Sequence, residues 1–181
     1  MFFEVSVCAQ EVGYPSSQKR FIGDVLTARG EFINAKNQVV QGHIRVYRQE
    51  SLKAYANQKI ENWIGSIYQM STLSDGTKAY IRVQIDPHIM ISTANNEWDR
   101  SISNTLIPYK SDLYRDLLSL KDNEWILFSG RFIPANPDGI REISLTMHGS
   151  MTDPEFLFKF SDIKKINKND IKLDSIFGNK F

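Results

Sequence analysis

The 181-residue chain has only one cysteine, Cys8. An intramolecular disulfide is therefore impossible, and so is a zinc site built on several thiolates. An excess of either charge is also missing: 22 Lys and Arg face 21 Asp and Glu, a net +1 at pH 7. A dedicated nucleic-acid binder carries a clear basic excess, so this balance argues against one. No apolar run approaches the roughly 20 residues that cross a bilayer as a helix. Walker, dinucleotide and Gly-Xaa-Ser-Xaa-Gly patterns are absent, and so is any internal repeat. What is present is ordinary globular composition, 41% hydrophobic and 24% charged. That mixture argues against disorder, and the length fits one domain with an appendage.

Residues 1–15 read as an N-terminal segment. They are apolar but interrupted by Glu4 and lack a basic start, so they do not form a complete signal peptide. Val7 stands before Cys8 where a lipoprotein signal needs a small residue. Either this segment is native to the domain or it is what remains of a longer leader. The compartment stays open between a bacterial cytoplasm and the soluble part of an envelope protein.

Pro15-Ser16-Ser17 marks a helix start. From there Phe21, Val25, Ala28, Phe32, Ala35, Val39, Gly42 and Val46 follow a strict heptad, and Ile22, Leu26, Ile33, Val40 and Tyr47 widen the stripe. The spacing predicts a long amphipathic helix over 16–58, or two helices broken near Gly30 or Gly42, where glycine weakens a helix. Such a stripe packs on its own domain or forms an oligomerisation arm.

The apolar period then drops to that of strands. Asn62–Met70 reads as a first strand, bent or bulged at Gly65, and Ser74-Asp75-Gly76-Thr77 as a turn. Ala79–Ile85 alternates cleanly, with Tyr80, Arg82 and Gln84 on the outward parity. His88–Thr93 is a third strand, 94–110 a polar loop, and Ser111–Leu120 a short helix capped by Ser111 or Asp112. Glu124–Ile133 is a fourth strand, and Ile140–Met147, after the turn at 136–139, a fifth. Glu155–Ser161, with alternating Phe156, Phe158 and Phe160, is a sixth and peripheral strand. The polar tail 167–181 is expected to fray.

Three strands, a short helix and two strands is the element order of an OB fold, a five-stranded Greek-key barrel. The expected fold is α+β, mainly β: an OB-fold-like barrel over 59–166 behind the N-terminal helix. Its expected interior is Ile81, Val83, Ile85, Ile126, Phe128, Ile143, Leu145 and Met147. Two stretches, Tyr55–Tyr68 and Leu118–Gly130, resemble the helix-to-strand passages of the bacterial tRNA_anti-like OB-fold proteins. The resemblance covers about residues 50–165 and is one of apolar and turn positions. It implies an OB barrel, often behind a membrane anchor or leader. It implies neither tRNA binding nor any set of functional residues.

The residues themselves offer little chemistry. His43, His88 and His148 lack ligand spacing, and Asp112 with Asp116 reads as a solvated helix face. Ser150, in the loop-like stretch His148–Glu155, has no base or oxyanion donor near it in sequence. No catalytic residue, metal or cofactor is expected. An enzyme whose groups converge only in space stays open.

Binding is the better-grounded expectation. In OB folds, ligands use the face of strands 2 and 3. Tyr80, Arg82 and Gln84 lie on it, and Arg131 and Arg141 flank the turn between strands 4 and 5. An aromatic beside an arginine suits base stacking with phosphate contact. Charge speaks against that use. Residues 61–150 hold eight basic and eleven acidic side chains, a net −3, while 1–60 are net +3. The tract Lys164-Lys165-Ile166-Asn167-Lys168 reads as a solubilising tail. The expected function is a non-enzymatic OB-fold binding or interaction module, its helical arm serving self-association or a protein partner. The alternative is single-stranded nucleic-acid binding through Tyr80 and Arg82.

Overall fold

The computed structural model describes residues 12–97, 102–144 and 146–172. Its elements run β1 (Val12–Gly13), α1 (Ser16–Ile33), α2 (Gln38–Leu52), β2 (Ile60–Thr72), β3 (Lys78–Asp86), β4 (Ile89–Ser92) and β5 (Ile107–Pro108). There follow α3 (Asp112–Leu117), β6 (Trp125–Phe132), β7 (Pro134–Ala135), β8 (Gly139–Ile140), α4 (Met147–Thr152), β9 (Glu155–Lys165) and β10 (Ile171–Lys172). Among the described residues no helix is long and apolar enough to cross a membrane.

Strands β2, β6, β9, β4 and β3 hydrogen-bond in that order, and β3 returns to β2 to close a five-stranded barrel. The β4–β9 pair is parallel and the other barrel pairs are antiparallel. Short β5 adds a sixth strand beside β3. The fold is thus α+β, mainly β, with an OB-fold-like barrel. One strand, β2, serves both sides of the closure: Ile60–Ser66 pairs with β6 and Ser66–Thr72 with β3. Gly65 sits at this handover. A Cβ there would lie 2.5 Å from Val83 Cγ1 and 2.9 Å from the Gln84 carbonyl oxygen, so close strand approach is what requires glycine. The register shifts of β2 flank it, between Ile60 and Trp63 and between Ile67 and Gln69.

The alternation of β3 is realised as expected: Ile81, Val83 and Ile85 are buried, as are Ile126 and Phe128 of β6. The expected fifth strand is not. Of Ile140–Met147, only Gly139–Ile140 forms a short strand and Glu142 a single bridge to Phe156. Met147 opens α4 and is 45% exposed, Ile143 packs in an outer cluster with Tyr80, and Leu145 lies outside the described residues. The stretch after His148, expected as a loop, is this helix, capped by the Thr146 hydroxyl, which accepts from Gly149 N at 3.0 Å. The barrel's fifth strand is β9, which sequence reading placed at the periphery. Phe156, Phe158, Phe160 and Ile163 are its inward residues.

The expected helical stretch is a hairpin. The break lies about one turn past Gly30, at two asparagines, and not near Gly42. Asn34 Nδ2 donates to the Gly30 carbonyl at 2.8 Å, and Asn37 Oδ1 accepts from Val40 N at 3.0 Å. Helix α1 packs on its own barrel rather than standing free. Phe21 contacts the rings of Tyr55, Trp63, Phe132 and Phe156 at centroid distances of 5.0–5.3 Å. Burying Phe21, Ile22, Val25 and Phe32 contributes about 1.5–3 kcal/mol each, which a solitary helix would forgo. Gln18 adds a polar fit. Its amide donates to Ile64 O at 2.5 Å and accepts from Ile64 N at 2.8 Å, satisfying β2 backbone just before β3 takes over.

Helix α3 matches its expected position, with the Ser111 hydroxyl accepting from Tyr114 N and Leu117 and Leu120 in the core. The tail is ordered as far as it is described: Ile171–Lys172 pairs in parallel with Val12–Gly13.

Candidate functional site

The outward parity of β3 places Tyr80, Arg82 and Gln84 on one half-buried face. Each is already engaged. The Tyr80 ring packs in a cluster with Ala94, Leu106 and Leu157. Arg82 Nε and Nη2 donate to the two carboxylate oxygens of Glu155 at 2.9 and 2.8 Å. The same guanidinium lies 5.1 Å from the ring centroid of exposed Tyr68. Gln84 Nε2 reaches the Pro87 carbonyl at 3.5 Å. A cleft of about 520 Å³ lies beside Tyr80 and Arg82, walled by Asn95, Ile102 and Ile143. Aromatic rings and a cation do lie on one face, but the cation faces a carboxylate.

Arg131 and Arg141 do not join that face. Arg131 stands on the outer side of β6, in register with Lys159 of β9. Both line a second cleft of about 630 Å³, between the β6–β9 surface and the connection from α2 to β2. Arg141 lines neither cleft. Its backbone is stitched between strands: Arg141 N donates to Ile133 O, and Leu157 N donates to Arg141 O.

A third surface belongs to α2. Ile44, Arg48 and Leu52 are buried on one side. On the other, Val39, Val46 and Tyr47 are 83%, 53% and 65% exposed, with Val40 beside them and His43 between. At 100° per residue these five positions fall within one stripe. An ion pair absent from the sequence reading fixes which side is presented. Arg48 Nη1 donates to Ser150 O at 2.5 Å and Nη2 to Glu142 Oε2 at 3.3 Å. Burial lowers the Arg48 pKa, with Glu142 opposing, and raises that of Glu142, with Ser144 and Arg48 opposing. Asp138 reinforces the junction through Gln49 and through Arg45 at 3.6 Å.

The catalytic candidates stay apart. His88 Nδ1 lies 2.9 Å from Asp153 Oδ1, His148 sits against the Phe32 ring, and His43 is on α2. The Ser150 hydroxyl donates to Met147 O within its own helix. Asp112 pairs with Arg115. Among the described residues no three His, Cys, Asp or Glu groups converge for a metal. The lysine tract is paired rather than free: Lys164 with Asp162, Lys165 with Glu124, and Lys168 over the Trp125 ring. Cys8 lies outside the described residues. Comparison of the chain with protein-family models, with curated proteins and with solved structures gave no match.

Proposed function

We propose that the chain is a non-enzymatic binding and interaction module of the tRNA_anti-like OB-fold kind, in which the α1–α2 hairpin presents α2 to a second copy of the chain. The observation that carries this reading is the exposed apolar stripe of α2. Val39 and Val46 are one heptad apart, and so are Val40 and Tyr47. Apolar side chains at that spacing, left in water, form a coiled-coil-type seam once a matching helix covers them. The reading also draws on α1. Its own apolar face is largely spent on the barrel, so of the two hairpin helices α2 is the one that keeps an apolar stripe exposed. The barrel supports the OB kinship through its strand order and its parallel β4–β9 pair.

Sedimentation equilibrium over a concentration series tests this. Self-association that Val39→Asp with Val46→Asp abolishes, without loss of helicity, is the expected result. A strict monomer at every concentration overturns it. The alternative, single-stranded nucleic-acid binding at Tyr80 and Arg82, draws support from Tyr68, whose exposed ring stacks with Arg82. It is the weaker reading because Glu155 already neutralises that arginine.

A further inference from the structure

We propose that the cleft beside β6 and β9 binds a phosphate group, held between Arg131 and Lys159. These two residues are direct partners across the antiparallel β6–β9 pair. Side chains so placed have Cβ atoms about 4.5–5.5 Å apart, and like charges there repel. Cross-strand cations are ordinarily offset by a carboxylate. Among the described residues no carboxylate lines the cleft, and neither Arg131 nor Lys159 makes an ion pair. The contrast with the β3 face is direct, since Arg82 has Glu155. It also runs against the local balance, because residues 61–150 are net negative.

An anion placed between the two cations converts their repulsion into two charge-assisted contacts. A dianion matches them in charge, which selects phosphate over carboxylate. Lys59 stands on the rim, shared with Glu61, and Asn104 and Ser161 supply neutral hydrogen-bonding groups. The cleft, at about 630 Å³, is larger than the anion alone and falls in the range of small-molecule sites, roughly 300–1,000 Å³. Ile133 and Pro134 give it an apolar wall for the body that carries the phosphate.

The probe is phenyl phosphate, titrated into the full chain at low salt. In the wild-type protein the amide resonances of Gly130, Arg131, Lys159 and Ser161 are expected to move. Arg131→Gln and Lys159→Gln are each expected to weaken binding about tenfold or more, as loss of a hydrogen bond to a charged group does. Lys36→Gln removes the same charge from the exposed α1–α2 connection and should leave binding unchanged. Unmoved amides in the wild type overturn the proposal, and that result does not depend on any variant folding. So does equal weakening by Lys36→Gln, or benzoate binding as tightly as phenyl phosphate. A single-stranded oligonucleotide in place of phenyl phosphate separates the sources. Each backbone phosphodiester carries a single charge, so weaker binding than phenyl phosphate supports a small phosphate monoester, and tighter binding with the same dependence on Arg131 and Lys159 overturns it in favour of a strand backbone.

Discussion

Arg82 grips Glu155 with two parallel hydrogen bonds of 2.9 and 2.8 Å, tying β3 to β9 across the intervening strand β4. Both side chains are partly exposed, 32% and 20%, so the pair stabilises the barrel by no more than about 1 kcal/mol. Its charge bears more on the alternative reading, nucleic-acid binding at this face. Glu155→Gln frees the guanidinium while keeping the volume. That variant is expected to bind single-stranded oligonucleotides more tightly than wild type at low salt, by fluorescence titration. Unchanged affinity would remove the β3 face from consideration as a nucleic-acid surface.

Arg48→Met leaves the Glu142 carboxylate buried without its cation. Such one-sided removals cost about 3–5 kcal/mol, so denaturant unfolding should show a loss of that size. Arg48→Met with Glu142→Leu should recover most of it, because Arg48 Nε and Glu142 Oε1 have no hydrogen-bond partner even in the intact pair. Acid should partly rescue the single variant. The Glu142 pKa is raised in the folded state, so protonation relieves the buried charge, and the relief fades as pH climbs through that raised value.

Tyr55 predicts alkaline instability. Burial, assisted by Asp24, pushes its phenol up from 10.0 to about 12. A folded-state pKa above the unfolded one gives stability that is complete below pH 10 and lost between pH 10 and about 12. Burial raises Tyr14 as well, so Tyr55→Phe should shrink this alkaline loss without removing it. Unfolding curves across that pH range would show a flatter profile for the variant.

Gly65→Ala should cost about 1–3 kcal/mol through overpacking. The new methyl meets the Gln84 carbonyl at 2.9 Å, and backbone in a closed barrel has little room to yield. Calorimetric unfolding checks this. Gly30→Ala is the control, since nothing lies within 4 Å of a Cβ there.

The barrel was legible where one strand face is buried and the other wet, as in β3. It was misread where two segments alternate equally well. Ile140–Met147 carries the same pattern as Phe156–Phe160, and Thr146 decides between them by capping a helix instead of continuing a strand. Glycine weakens the helix near the break, while Asn34 and Asn37, residues of the capping type, fix its position. Tyr80, Arg82 and Gln84 fell on the face their parity required. Arg131 was legible as a charge near a turn, while its opposition to Lys159 depends on register that no local pattern encodes. The Arg48–Glu142 pair joins residues 94 positions apart, and only the packed chain brings them together.

The β1–β10 contact has a mechanical consequence. Val12–Gly13 and Ile171–Lys172 run in the same direction, so the chain enters the ladder at one end and leaves it at the other. Tension applied through the two flanks therefore loads these hydrogen bonds in shear, together, rather than peeling them one at a time. The clasp is two residues long, backed by the packing of Tyr14 and Ile171 with Ile64. Being only two residues long, it is expected to yield before the closed barrel behind it, whose strands pair over longer stretches.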